Sequence, residues 1–498
     1  MTEAHIDPSG SSQRASGGRP HVVVIGAGIS GLAAAWRLCR ERHDIDVTVL
    51  EAGPWVGGKL RVSELEGLWL DEGAESILAL RPEALRLARE VGLADDLIHP
   101  SVISPSLVIG GDLVPMPTGT VLGVPTDLAA LARSGVLSAQ GLARIPLDYV
   151  MAATPLGEDV SLGDYVGSRL GAEVVDRLVA PLLMGVYADR ASNVSMRAAA
   201  PKLFEASLGE RSLLNAAQIA RGVPSDPDAP RPPVFAGIRG GVGRLPLALA
   251  ERLRQAGVEI ETGATVRALR RAPQGWTLVV GPTSDERVVH ADAVVLAVPP
   301  PAASKLLRGV STQAESELGQ IGMTSVAVVT LLYRAGDLPG GDLPAGSGYL
   351  VPPSEGRPVK ASTFVSHKWE WIGEAAAAQG LIAVRCSLGH ADDIEILQRD
   401  DADLVKVAAE DLAFVARLGR ARPVAARVSR WGGGLPRYAV GHVDRVARTD
   451  DALEALPGLV ACGAAFEGVG IAACVARADS AATRIVRRLG ADGQWQHD

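Results

Sequence analysis

Two kinds of periodicity divide the chain. His21 to Ile25 is a short, β-branched apolar run ending in glycines, the pattern of a strand buried on both faces of a parallel sheet. Leu32 to Arg42 then carries apolar residues at helical spacing and Ile45 to Leu50 supplies another strand, so this region predicts a βαβ unit. From Arg81 to about Gly222 the pattern changes to Leu- and Ala-rich amphipathic segments, such as Pro82 to Val91 and Leu162 to Leu183, which predict a mostly helical lobe. Gly222 to Pro233 holds five prolines and reads as a surface connection. A helix over Leu245 to Ala256 follows, then strands at Val258 to Glu261, Trp276 to Val280 and Ala293 to Val298. Between about Pro299 and Arg430, alternating runs such as Ser325 to Tyr333 and Ile382 to Cys386 are split by Gly/Pro turns, including Asp337 to Gly348, and predict a second sheet. The chain closes on a strand, Leu459 to Gly463, and a helix, Gly470 to Leu489; no internal repeat is visible.

The pattern is of the α/β class: a Rossmann-like dinucleotide-binding domain assembled from 21–80, 234–298 and 431–490, a mixed-sheet domain over 299–430, and a mostly helical lobe over 81–222. Residues 1–20, polar and rich in Gly and Ser, read as a flexible N-terminal arm without the apolar core of a secretory signal. A length of 498 residues with 47% hydrophobic content fits two or three such lobes. The formal charge of −8, with basic residues scattered singly, argues against a nucleic-acid partner. Cys39, Cys386, Cys462 and Cys474 show no metal-ligand spacing, so no metal is expected, and they read as reduced thiols of a cytoplasmic protein. No stretch is long and apolar enough for a transmembrane helix, although apolar loops leave room for peripheral membrane contact.

Gly26-Ala27-Gly28-Ile29-Ser30-Gly31 follows the first strand and opens the first helix. Gly26 permits the tight turn, Gly28 lets backbone approach a pyrophosphate, and Gly31 lets helix pack on strand. A GxGxxG alone is weak evidence, and its bland alternative is a structural glycine turn. Here Glu51 ends the next strand twenty residues beyond Gly31, where a carboxylate accepts ribose hydroxyls. Gly57-Gly58-Lys59 adds paired glycines and a cation for a phosphate. Near the C-terminus, Gly468, Gly470 and Ala473 imitate a second fingerprint, but a loop of about five residues separates them from their strand. That helix N-terminus suits the charge that reduced flavin carries at N1 and O2; its alternative is a packed helix entry. With no good second fingerprint, nothing obvious binds a nicotinamide cofactor, and electrons enter from an organic substrate.

At this point the residues resemble a family. The Gly26 to Gly31 turn, Glu51-Ala52 and Gly57-Gly58-Lys59 are similar to the flavin amine oxidase superfamily. Asp71 to Ser76, Pro181 to Ala188, Ser366-His367-Lys368-Trp369, Trp431, Leu435 to His442 and Gly468 to Ile471 look like the porphyrinogen oxidases of haem synthesis, especially the soluble Gram-positive type. The resemblance spans about 20–490. It implies FAD, held without a covalent link, with contacts at Gly26, Gly28, Ser30, Gly31, Glu51, Ala52, Gly58, Lys59, Gly73, Ala74, Glu75, Ser76, Val266, Trp431, Val469, Gly470 and Ile471. It further implies coproporphyrinogen III as substrate, oxygen as acceptor, hydrogen peroxide as product, and transient contact with the next haem-pathway enzyme. Ala464-Ala465-Phe466-Glu467 departs from the polar and basic residues that many relatives carry there.

Such chemistry asks little acid-base work of the protein, because the flavin takes the hydride at N5. No catalytic side chain is assigned, and His367 and His442 read as structural hydrogen-bonders. Tyr187 and Arg81 are the substrate-cavity candidates, Arg81 as a propionate grip or else a surface arginine at a helix start. Cys462 reads as a buried thiol. Protoporphyrinogen IX, an amine or a polyene remain open as substrates, as does a non-catalytic porphyrin carrier.

Overall fold

The computed structural model describes residues 18–222 and 233–493. Residues 1–17 of the expected arm and 223–232 of the Pro-rich connection lie outside the described residues. In chain order, the elements that build the site are β1 (His21–Ile25), α1 (Ile29–Glu41), β2 (Asp46–Leu50), β3 (Leu68–Asp71), α2 (Glu83–Glu90), α3 (Ala180–Tyr187), β4 (Glu259–Glu261), β5 (Ala293–Leu296), β6 (Met323–Arg334), β7 (Val359–Thr363), β8 (Leu381–Leu388), α4 (Asp401–Val415), β9 (Ala425–Pro436), β10 (Leu459–Ala461) and α5 (Ile471–Gly493).

β4, β2, β1, β5 and β10 pair in that order into a parallel five-stranded sheet. His21 lies opposite Asp46 and Ile25 opposite Leu50, so the loops leaving β1 and β2 emerge level at the carboxyl edge, where open α/β sheets receive ligands. The apolar run of β1 is needed because both faces are covered. Val22 and Val24 pack with Leu32 and Leu38 of α1 and with Val475 and Ala478 of α5, while Val23 and Ile25 pack with Trp276 and Leu278 of a small antiparallel sheet.

The second sheet has seven strands, in the order β9, β6, β8, β7, Gly348–Leu350, Pro105–Ile109 and Asp112–Pro115. Strand alternation sends Val329, Leu331, Tyr333, Val384 and Cys386 into one core with Leu404, Ala408 and Leu412 of α4. The opposite face carries Ser429, Val328 and Ser387 in one row and Arg427, Thr330 and Arg385 in the next.

The expected domain limits shift in three places. Pro105–Ile109 and Asp112–Pro115, inside the range assigned to the helical lobe, form a hairpin that extends the sheet. Its turn is Gly110-Gly111, both in the left-handed region at φ 61° and 83°. β9 runs unbroken through residue 431, where the dinucleotide domain was expected to resume. The helices Pro300–Leu307 and Thr312–Gly319 pack on the parallel-sheet domain, not on the second sheet. Leu162 to Leu183 is helical in pieces: Gly171, at φ 99°, separates them, and a π-helical turn covers Val175–Val179.

Candidate active site

The glycine turn separates into packing positions and open positions. A Cβ on Gly31 would stand 1.9 Å from the Gly26 carbonyl oxygen, and one on Gly26 2.6 Å from that of Ala297. Around Gly28 nothing lies within 4 Å of the same point. Gly26 and Gly31 therefore let α1 seat on the sheet, and Gly28 leaves a bare backbone surface. Glu51 reaches back to this turn: its carboxylate accepts the Ala27 N–H at 2.8 Å and the Gly53 N–H at 2.7 Å. The expected ribose acceptor is thus also the staple that fixes the turn. The Glu51 carbonyl accepts the Ala264 N–H at 2.8 Å, which brings the strand beginning at Val266 beside this corner, while Ala52 is exposed.

Gly57 bridges Gly28 in parallel and donates to the Ala27 carbonyl at 2.8 Å. Lys59 follows, and burial holds its ammonium below the ordinary lysine range with no carboxylate paired to it among the described residues. A bare glycine cradle beside a desolvated cation is the donor set a pyrophosphate needs, and Ser30, 6% exposed, stands in the first turn of α1. The residues present fit the dinucleotide.

Gly73 passes between Lys59 and Trp431; a Cβ there would lie 2.3 Å from the Lys59 carbonyl oxygen and 3.2 Å from the indole. Trp431 Nε1 donates to the Glu72 carbonyl at 3.0 Å, so a β9 side chain fastens the turn that follows β3. The Glu75 carboxylate takes Lys368 Nζ at 2.7 Å and Arg385 at 2.8 Å, and Lys368 also donates to Ser76 Oγ at 2.9 Å. Burial alone would raise the Glu75 carboxyl, but the two cations hold it below its usual range. Asp71 is raised by burial to about 6 even though it accepts the Val242 and Gly243 N–H groups. Glu75 and Ser76 thus also serve as anchors for the turn that carries Gly73 and Ala74. Lys368 stood in a motif without an assigned role, and Arg385, 310 positions from Glu75, gave no local signal.

At the third loop, Gly470 precedes α5 with nothing within 4 Å of a Cβ position, and Ile471 begins the helix. Val469 packs into the cluster holding Tyr187 and Tyr438, whose rings are 5.5 Å apart. Tyr438 donates to the Ala464 carbonyl at 2.7 Å and stacks on His442 at 3.9 Å. Burial pushes the Tyr187 hydroxyl up to about 12 and the His442 imidazole down to about 4, so both are neutral near pH 7. Tyr187 thus shares a core cluster with Val469. Arg81 instead pairs with Glu83 at 2.9 Å at the start of α2, the surface arrangement of its alternative reading. It lies within electrostatic reach of the Cys474 thiol together with Lys59, on the glycine-turn side of the site. His367 is structural, bonded to Asp342 at 2.8 Å and to the Gly346 carbonyl at 3.2 Å. Cys462 is fully buried and its thiol is pushed up to about 12, so it is no thiolate. No described helix is long and apolar enough to cross a membrane.

A protein of Mycobacterium bovis named coproporphyrinogen III oxidase is 35% identical over 94% of this chain and 98% of its own length. One of the same name from Bacillus subtilis is 31% identical over 92% and 96%. A crystal structure from Exiguobacterium sp. 255-15, provisionally named protoporphyrinogen oxidase, superposes with a TM-score of 0.81 at 27% identity over 95% of this chain and 99% of that one. Putrescine oxidase, at 17% identity and a TM-score of 0.64, shares the fold. The family model described as flavin containing amine oxidoreductase matches residues 29–486, and the chain belongs to that family.

Proposed function

We propose that this chain is a cytoplasmic oxidase with non-covalent FAD that converts coproporphyrinogen III to coproporphyrin III in haem synthesis, with oxygen as acceptor. The observation that carries the reading is near-full-length similarity to coproporphyrinogen III oxidases on a fold whose glycine cradle and unpaired Lys59 suit a dinucleotide. When bound, the flavin supplies hydride acceptance at N5 and passes electrons to oxygen, giving peroxide over three turnovers.

The chain's own residues bind and exclude. Gly26, Gly28, Ser30, Gly31, Gly58 and Lys59 would hold the pyrophosphate, and Glu51, Ala52 and Val266 the adenosine end. Gly73 to Ser76, Trp431 and Val469 to Ile471 would border the ring system, with the α5 N-terminus offering free N–H groups to its anionic edge. Burial of the Cys462 thiol supports a cofactor held without a covalent bond. Tyr187 would line the macrocycle cavity with an apolar ring. Arg81, which gives Nη2 to Glu83, would meet a propionate with its remaining donors. Transient transfer of the product to the next haem-pathway enzyme belongs to the same reading.

Coproporphyrinogen III carries four propionates and protoporphyrinogen IX two. A cavity built for vinyls leaves two carboxylates desolvated, at a cost of several kcal/mol per buried charge. The test is kcat/KM for both substrates by porphyrin fluorescence. A preference of at least about tenfold, roughly 1.4 kcal/mol, for coproporphyrinogen III is expected. A clear preference for protoporphyrinogen IX overturns the substrate assignment.

A further inference from the structure

On the second sheet, Thr330 of β6 stands between Arg385 of β8 and Arg427 of β9, each its direct partner in register. Direct partners share a face with Cβ atoms about 5 Å apart, so the two arginine side chains leave the sheet on either side of one hydroxyl. Thr330 is fully buried and Arg385 is 7% exposed. Arg427 uses Nη1 on the Glu64 carbonyl at 3.0 Å. Its Nε and Nη2, the two donors of one edge of the guanidinium fork, are shut off from solvent and have no acceptor among the described residues. The same holds for Arg385 Nε and the Thr330 hydroxyl.

The nearby carboxylates are engaged elsewhere. Glu72 takes Arg61 at 2.5 Å and the Ser63 hydroxyl at 2.5 Å, and Glu75 takes Lys368 and the other side of Arg385. Burial pulls the Arg427 guanidinium below its ordinary range; Glu72 opposes this, while Arg385 and Arg61 add repulsion. Lys368, Arg385, Arg427 and the half-exposed Arg61 thus meet three carboxylates, Glu72, Glu75 and Asp71, the last also bound to backbone N–H groups. Charged donors shut off from solvent without an acceptor are costly unless an anion joins them.

We propose that this face binds a small monovalent inorganic anion of the chloride class, gripped by the Nε–Nη2 edge of Arg427 and completed by Arg385 Nε and the Thr330 hydroxyl. The ion relieves repulsion between the two arginines. Because Arg385 also holds Glu75 and the Gly73 carbonyl, its occupancy stiffens the turn over residues 73–76. The site is independent of which substrate the enzyme takes.

The test is thermal unfolding of the purified protein in sodium chloride or bromide against sodium gluconate at constant ionic strength, with bromide located in crystals by anomalous scattering. A saturable rise of a few degrees in the halides, absent in Arg427→Gln, and a bromide peak between Arg427 and Thr330 are expected. Should Arg427→Gln fail to fold, Thr330→Val is expected to raise the half-saturating concentration several-fold. Equal midpoints in halide and gluconate, or no bromide peak on this face, overturn the proposal. Unfolding is read whether or not the protein carries flavin, so failure of the oxidase reading would leave this test intact.

Discussion

Two of the strand-to-helix crossings at the carboxyl edge of the parallel sheet, from β1 into α1 and from β10 into α5, use their glycines differently. In the first, Gly26 and Gly31 have no room for a methyl group, because backbone carbonyls stand 2.6 and 1.9 Å from it. In the second, Gly463 and Gly470 have nothing within 4 Å. The first turn is a packing device that leaves one bare surface, at Gly28. The second packs only at Gly468, where a Cβ would stand 2.8 Å from that of Ala473, and is open at Gly463 and Gly470, which leaves bare backbone at the entry to α5. A glycine pattern in sequence does not separate these uses; the atoms around each Cα do.

That contrast can be broken by substitution. Gly31→Val is expected to have the largest effect, since a carbonyl at 1.9 Å cannot give way without moving α1 off the sheet: a loss of about 3 kcal/mol or more, seen as a depressed Tm and flavin-free protein. Glu51→Arg comes next. It removes the acceptor of two backbone N–H groups as well as the expected ribose partner, so flavin content on purification should fall at least tenfold with about 1–3 kcal/mol of stability lost. Unchanged flavin content in that variant would remove the cofactor role of the first turn.

Two of the six lysines sharpen the comparison. Lys59 lies beside the open cradle, whereas Lys360 is buried on β7 and donates to the Gly389 carbonyl at 2.6 Å, with no carboxylate paired to it among the described residues. Lys59→Met is expected to weaken flavin retention, measured as the FAD dissociation constant, and Lys360→Met to leave it alone. Burial holds Lys360 down to about 7, while the unfolded chain keeps the ordinary value near 10.5. Between those values the unfolded state binds more protons, so this lysine makes stability rise with pH and is most unfavourable below about pH 7. Lys360→Met should therefore raise Tm more at pH 6 than at pH 9. An equal change at both would show that the lysine is not desolvated. The smallest structural effect is expected for Gly470→Val. With open space around it, the fold should change by well under about 1 kcal/mol, while substrate-driven flavin reduction slows more than flavin content falls.

The first crossing was legible in sequence because its signals are local: a β-branched run, a glycine spacing and Glu51 within about thirty residues. Lys59 was legible for the same reason. The Pro105–Pro115 hairpin was not, because two short strands joined by Gly110-Gly111 were lost among Leu- and Ala-rich helices. Nor was the anchoring of the 73–76 turn. Glu75 meets Lys368 and Arg385 only after distant strands pair, and Arg427, Thr330 and Arg385 share a face only through the register of three strands. Arg81 stands before α2, where sequence offered a substrate grip or a surface arginine, and its pairing with Glu83 is compatible with both.

The central claim is that a bound flavin in this chain takes hydride from coproporphyrinogen III. The most direct measurement mixes the purified protein with that substrate in the absence of oxygen and follows the flavin absorbance. The yellow band is expected to bleach, then to return when oxygen is admitted, with porphyrin fluorescence appearing and three oxygen molecules consumed per porphyrin formed. A flavin that stays oxidised under coproporphyrinogen III, yet bleaches when an amine is supplied, would contradict it.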